Sequence, residues 1–388
     1  NESVVERFKR KFQEQYLAIQ LEKQLKDFVR LGRQSGLHNA CALLVHWPTM
    51  EVRALAGSAN FFDSSISGQI DGTLARRSPG STLKPFIYAL GLEQGLIHPM
   101  TLLRDLPKSF AGYTPENFDG DFRGPLPACE ALRLSRNVPA ITLASQLRNP
   151  DLYDFLRSCH VDFLRDRDHY GLSLVLGGAE VTPRELAALY CMLANRGIWK
   201  PLRLTLDEPQ AAQQRLSPEA SFITLDMLVS DASDENIPSR EGKNIHVRCK
   251  TGTSNGFRDA WTAGIAGPYV LVVWVGNFNN DPHPLFVGGK TSFPGHNQKT
   301  GCQRGHVRHA VHTLPRHQSG PHPRVHRHRR SRHFVMPGYD RNLVHSRRIS
   351  HQSDRHTAEN PHRQKNGTPG LHASGRRYRR GSLGVLAQ

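Results

Sequence analysis

Residues 250–276, KTGTSNGFRDAWTAGIAGPYVLVVWVG, decide the fold class. The run from Tyr269 to Val275 is apolar throughout. It has the length of a strand and falls well short of the about 18 apolar residues that a membrane-crossing helix needs. Gly267-Pro268 separates it from a second strand pattern, Ala260–Ala266, at the spacing of a short hairpin. A third pattern runs from Asn244 to Thr251 and includes Lys250. Upstream, Cys41–His46 and Glu51–Ala56 read as two more strands, joined by a turn at Trp47-Pro48-Thr49. The segments between are helical: from Ser81, over 128–135 and 138–148, from Thr182, and from Ser217 to Val229. Thr182 and Glu185 form a capping box with Pro183 at the first helical position, and Gly197 stands where that helix ends. A strand pair, many helices, then three strands predict an α+β domain on a mostly antiparallel sheet. Residues 105–127 are rich in Gly, Pro and Asp and read as a long irregular connection, a common place for functional groups. Residues 3–31 read as an amphipathic helix with Val5, Phe8, Phe12, Tyr16 and Ile19 on its apolar face.

The chain has 388 residues and a net charge of +17. That balance resembles a nucleic-acid binder, but its distribution argues otherwise. Residues 287–388 hold 20 Lys and Arg against 3 Asp and Glu, so residues 1–286 carry 31 of each and are neutral. The basic tail has no sustained apolar period. It reads as a wrong-frame translation ahead of a disordered tail. The chain begins with Asn and shows no signal-peptide pattern, so it reads as a fragment or processed product. The six cysteines include no Cys-x-x-Cys pair, which argues against a zinc ribbon or a thioredoxin-type site and for small core residues. His46 and His160 read as ordinary residues, and His306, His309 and His312 as tail composition. We expect no metal and no cofactor.

The chemistry points to RRSPGSTLKPFIYALGLEQGL, residues 76–96. A serine hydroxyl needs a neighbouring base to become a nucleophile. Ser81 and Lys84 are three apart, so a helix starting near Ser81 would put them on one face. The free N–H groups of that helix start suit a developing oxyanion. Lys84 can act as a base only if burial or nearby positive charge lowers its pKa. Alone, Ser-x-x-Lys arises by chance. Ser135-Arg136-Asn137 and Lys250-Thr251-Gly252 change its weight, since the three elements together, in this order, mark the acyl-serine enzymes of β-lactam chemistry. Alternation along the strand puts Lys250 and Gly252 on one face, with Cys249 and Thr251 on the other. A second Lys-Thr-Gly at 299–301 has no strand around it and is a chance match. Plainer readings remain for the others: Asn137 as a helix cap, Ser135 as a helix-end hydroxyl, and Arg258-Asp259 as a structural pair.

RSPGSTLKPF (77–86), GYTPENFDGDFRGPLPACEALRLSRNVPA (112–140), LVLGGAEVTPRELAALYCMLANRG (174–197) and KTGTSNGFRDAW (250–261) resemble the transpeptidase domain of class A penicillin-binding proteins, most of all their 1C type. The resemblance covers about residues 36–286. It implies a penicillin-binding transpeptidase and serine β-lactamase-like fold, an antiparallel sheet with helices on both faces. It implies that 1–35 is a linker helix, that a glycosyltransferase domain and membrane anchor belong ahead of it, and that a further domain belongs where 287–388 lies. By position it makes Ser81 the nucleophile, Lys84 its base, and Ser135 a relay to the leaving group. Lys250 supplies positive charge. Asn137, Thr251, Gly252 and Thr253 line the substrate site, with the oxyanion between the N–H groups of Ser81 and Thr253. The implied partners are D-Ala-D-Ala stem peptides of peptidoglycan, with β-lactams as inhibitors and no nucleic acid. The implied location is the periplasmic side of the bacterial inner membrane. The alternatives are a β-lactamase or D,D-carboxypeptidase, in which water resolves the ester, and a β-lactam-binding protein without turnover. The Glu-x-x-Leu-Asn element of class A β-lactamases does not occur.

Overall fold

A computed structural model describes residues 19–282 apart from 24, 28, 31–35, 111–113, 206–210, 230–235 and 239–243. In chain order the strands are β1 (Asn39–His46), β2 (Glu51–Ala56), β3 (Leu102–Asp105), β4 (Gly124–Pro127), β5 (Ile198–Trp199), β6 (Gln213–Gln214), β7 (Asn236–Pro238), β8 (Asn244–His246), β9 (Arg248–Thr253), β10 (Asp259–Ala266) and β11 (Tyr269–Gly276). The α-helices are α1 (Lys84–Glu93), α2 (Ala128–Arg133), α3 (Asn137–Ala144), α4 (Leu152–Ser158), α5 (Arg167–Tyr170), α6 (Pro183–Ala194) and α7 (Pro218–Met227).

The main sheet has five strands in the order β2-β1-β11-β10-β9, and every neighbouring pair is antiparallel. The apolar run of β11 becomes a central strand because both of its faces are covered. Period-2 alternation divides its side chains. Val270, Val272 and Trp274 join Cys41, Leu43 and Val45 in the core shared with α1 and α6. Leu271, Val273 and Val275 join Ala40, Ala42 and Leu44 on the other face, under Leu21, Leu25 and Val29. The turns of the two hairpins are tied together: Trp47 donates from Nε1 to Gly267 O at 2.9 Å and from its backbone N–H to Pro268 O at 3.0 Å.

α6 is apolar nearly all round and is buried between the sheet and the other helices. Its capping box forms: the Glu185 N–H donates to Thr182 Oγ1 at 3.1 Å, and the Thr182 N–H donates to Glu185 Oε2 at 2.8 Å. Ser217 caps α7 with its side chain alone, Oγ accepting from the Ala220 N–H at 3.1 Å.

Several sequence expectations change. The described part of the N-terminal helix, within 19–30, buries Leu21, Leu25 and Val29, while Ile19 is 61% exposed. The face toward the sheet is therefore the i, i+4, i+8 row that starts at Leu21, and Val5, Phe8, Phe12 and Tyr16 lie outside the described residues. The strand expected over 244–251 is two strands, broken at Val247: β8 pairs with β7, and β9 joins the main sheet. Residues 105–127 are less irregular than expected, because β3 and β4 close them into a two-stranded ribbon. The second Lys-Thr-Gly, Cys302, the three tail histidines and the rest of 287–388 lie outside the described residues.

Candidate functional site

Ser81 does not start an α-helix. Gly80–Leu83 form a 3-10 turn, and α1 begins at Lys84 with Pro85 in its first turn, where a missing N–H costs least. Four hydrogen bonds fix the turn, three of them to other elements. Trp261 Nε1 donates to Ser78 O at 2.8 Å, and Ser78 Oγ donates to Gly177 O at 2.7 Å. Thr82 Oγ1 donates back to Pro79 O at 2.9 Å, and the buried Tyr190 hydroxyl donates to Thr82 O at 2.9 Å. Ser81 stays partly exposed, and among the described residues its hydroxyl has no hydrogen-bond partner.

Lys84 is fully buried. Its Nζ donates to Ser135 O at 2.6 Å and to Asn137 Oδ1 at 2.6 Å, with Ser135 Oγ at 3.4 Å. Burial, then the charges of Lys250 and Arg136, hold the Lys84 ammonium well below the ordinary lysine range, and Asp105 pulls the other way. A neutral amine here is a base one 3-10 turn from Ser81 in sequence, while among the described residues its hydrogen bonds go to Ser135 and Asn137 and none joins it to the Ser81 hydroxyl.

The shape of the Ser-x-Asn element follows from how α2 ends. The Arg136 N–H donates to Ala131 O at 2.9 Å and the Ser135 N–H to Leu132 O at 3.0 Å, the paired bonds of a Schellman exit. Ser135 occupies the left-handed position of that exit, φ 59°, where glycine is usual. This costs roughly 1–2 kcal/mol of backbone strain, and it aims the Ser135 carbonyl and hydroxyl at Lys84. Asn137 is the first residue of α3, and its side chain does not cap that helix. It grips Lys84 with Oδ1 and donates from Nδ2 to Glu116 O at 2.6 Å.

Opposite these groups runs β9, one of the two edge strands of the main sheet. Lys250 is buried, with Nζ 3.0 Å from Thr251 O, while Thr251 and Thr253 are partly exposed. The strand touches the Ser81 turn backbone to backbone. A Cβ on Gly80 would lie 2.4 Å from Thr253 O, and one on Gly252 would lie 2.3 Å from Pro79 O. Only glycine at both positions permits this approach, which sets Thr253 beside the turn that carries Ser81.

The expected residues thus converge. Ser81, Lys84, Ser135 and Asn137 form one wall, and Lys250, Thr251, Gly252 and Thr253 form the other. Sequence reasoning missed a further layer behind Asn137. Asp105, Asn117, Asp119 and Arg136 are linked there by hydrogen bonds, with Arg136 Nε 2.7 Å from Asp105 Oδ2. Their one signal was the Asp- and Gly-rich composition of 105–127. Arg258-Asp259 is divided in role: Asp259 is buried and accepts from Trp274 Nε1 at 2.9 Å, while Arg258 is exposed. The Cys41 and Cys191 thiols are pushed up by burial, and Cys159, also buried, is pushed up to about 12, so these three do not offer thiolates. His46 bonds Thr49 at 2.8 Å and His160 stacks on Trp199, both away from the site. Among the described residues no cluster of metal-ligating side chains occurs, and no helix is long and apolar enough to cross a membrane.

The fold and this site define a penicillin-binding transpeptidase domain. Residues 40–289 match the family described as penicillin binding protein transpeptidase domain. The chain belongs to that family. It is 34% identical over 276 residues to penicillin-binding protein 1C of Escherichia coli (strain K12), a match that covers 68% of this chain and 34% of that protein. It is 30% identical over 259 residues to penicillin-binding protein 1B of the same organism, covering 61% of this chain and 30% of the relative. The chain thus spans about a third of the length of the curated relatives it matches. Among solved structures, PonA1 of Mycobacterium tuberculosis in complex with penicillin V superposes with a TM-score of 0.60 at 20% identity, over 78% of this chain and 86% of that one. At that identity the likeness carries the fold.

Proposed function

We propose that the chain is the catalytic unit, about residues 36–286, of an acyl-serine D,D-transpeptidase that cross-links peptidoglycan stem peptides. One observation carries the reading. Lys84 is buried, desolvated and gripped by Asn137 and Ser135, one turn from the Ser81 hydroxyl, which has no hydrogen-bond partner among the described residues. In this reading Ser81 Oγ attacks the carbonyl of the penultimate D-Ala as its proton passes to Lys84. The tetrahedral intermediate places its oxyanion between the backbone N–H groups of Ser81 and Thr253, where losing one donor costs about 2.7–4 kcal/mol in comparable sites. The C–N bond breaks, and Ser135 relays the proton from Lys84 to the departing D-Ala amine. Lys250, Thr251 and Thr253 hold the terminal carboxylate. An amine of a second stem peptide then attacks the ester, forms the cross-link and restores Ser81. β-Lactams enter as acyl donors whose leaving group stays attached. The stem peptides place the reaction on the periplasmic side of the inner membrane.

The test is the fate of the acyl-enzyme. With a thioester donor of the acyl-D-Ala type, amide product should rise with the concentration of a D-amino acid acceptor. Hydrolysis at every acceptor concentration would instead assign a D,D-carboxypeptidase.

A further inference from the structure

Behind the Ser135–Asn137 turn lies a charged cluster that the proposed chemistry does not use. Asp105, the last residue of β3, is fully buried. Its Oδ2 accepts from Arg136 Nε at 2.7 Å and from the Arg123 N–H at 3.0 Å, and its Oδ1 accepts from Asn117 Nδ2 at 2.8 Å. Arg136 is itself buried, with Nη1 donating to Asp119 Oδ2 at 2.7 Å and Nη2 donating to the Asp121 carbonyl. Asn117 closes the circuit, because its Oδ1 accepts the backbone N–H of Asn137 at 2.7 Å. From β3, through the 116–121 loop, to the amide that grips Lys84, the polar contacts are continuous.

A buried ion pair is a poor way to gain stability, since apolar residues of the same volume often do as well. What it does here is join two segments that no shared secondary structure joins. We propose that Asp105 and Arg136 are positioning residues for acylation, which lock the 116–121 loop to the Ser135–Asn137 turn and so fix the carbonyl and amide that hold Lys84. The proposal rests on the reading of Lys84 as the base of Ser81.

The pair also reaches Lys84 through charge. The charged groups acting on its amine are Lys250 from β9, Arg136 from the turn before α3 and Asp105 from β3, while Ser135 and Asn137 touch it as neutral partners. Arg136 disfavours the ammonium and Asp105 favours it. Removing either one therefore has an opposite consequence. In Asp105→Asn the Arg136 charge stands alone, and Lys84 gives up its proton at lower pH. In Arg136→Met the buried Asp105 stands alone, and Lys84 keeps its proton to higher pH. The two limb shifts read the charge of the pair at Lys84, and the plateau reads its hold on Ser135 and Asn137.

The experiment is the pH profile of acylation of the full chain by a fluorescent penicillin, for the parent, Asp105→Asn, Arg136→Met and Arg136→Lys. The acid limb should move to lower pH in Asp105→Asn and to higher pH in Arg136→Met. The plateau should fall by about 10- to 100-fold in Arg136→Met as the grip on Lys84 loosens. Arg136→Lys should keep the limb near its parent position and still lower the plateau. If Arg136→Met does not fold by circular dichroism, Arg136→Lys decides: a plateau at the parent level overturns the proposal. Limbs that stay put, or that move the same way in Asp105→Asn and Arg136→Met, also overturn it while leaving the acyl-serine reading intact. If the folded parent takes no penicillin at Ser81, the acyl-serine reading itself fails. Hydrogen exchange over 116–121 then judges the pair, and protection unchanged by Arg136→Met overturns the positioning role.

Discussion

Replacing Gly252 by alanine tests how closely the two walls of the site must meet. The new Cβ would lie 2.3 Å from Pro79 O, 2.8 Å from Thr82 Cγ2 and 3.1 Å from Thr82 N. Two of these three neighbours are backbone atoms of the turn around Ser81, so no side-chain rotation relieves the contact. Pro79 O is also held in place, accepting from the Thr82 N–H at 3.2 Å and from Thr82 Oγ1 at 2.9 Å. To restore ordinary contact near 3.4 Å, the turn and the strand must part by about 1 Å. A shift of about that size in a reacting group costs on the order of 100-fold in rate. Overpacking of this kind costs about 1–3 kcal/mol in stability. The assay pairs the rate of labelling by a fluorescent penicillin with a thermal melt. Gly95→Ala is the control. Gly95 has φ +66°, and a Cβ there meets nothing within 4 Å, so that variant should lose stability and keep its rate. Gly252→Ala labelling within about threefold of the parent would refute the reasoning, because the close approach would then be irrelevant to Ser81.

Three further outcomes follow from the same geometry. Acylation should fall as pH drops through the depressed pKa of Lys84, where the amine gains a proton and stops acting as a base. It should hold level above that point, well below the value of about 10.4 at which an ordinary lysine titrates; a limb at the ordinary value, read from labelling rate against pH, would count against the burial argument. Ser135→Gly should relieve the left-handed strain and raise stability by up to about 1 kcal/mol in a denaturant titration, while acylation falls because the hydroxyl is gone. Thr182→Ala should cost about 0.5–2 kcal/mol through loss of the capping box, with little change in labelling rate.

The parts of this protein that were legible in the sequence are those where local chemistry and tertiary demand agree. The β10–β11 hairpin and the capping box of α6 depend on neighbouring residues, so short-range patterns reveal them. The candidate site residues could be picked out because three spaced elements coincide, although none of them is informative alone. The second layer was not legible. Asp105 and Arg136 are 31 residues apart with no local pattern linking them, and an aspartate at a strand end two residues before a proline looks like turn chemistry until its burial is seen. Ile19 misled because a helix shows several apolar rows, and only the packed partner selects one. The break at Val247 was hidden for a related reason: residues 244–251 form one β pattern, but β8 and β9 pair with different partners.

The most direct test of the central claim is to locate the covalent adduct. After incubation with benzylpenicillin, intact-mass measurement should show one penicilloyl group per chain, and fragmentation should place it on the peptide that contains Ser81. Ser81→Ala, melting like the parent, should show none. An adduct that persists in Ser81→Ala, or a folded parent that takes up no penicillin, would contradict the account.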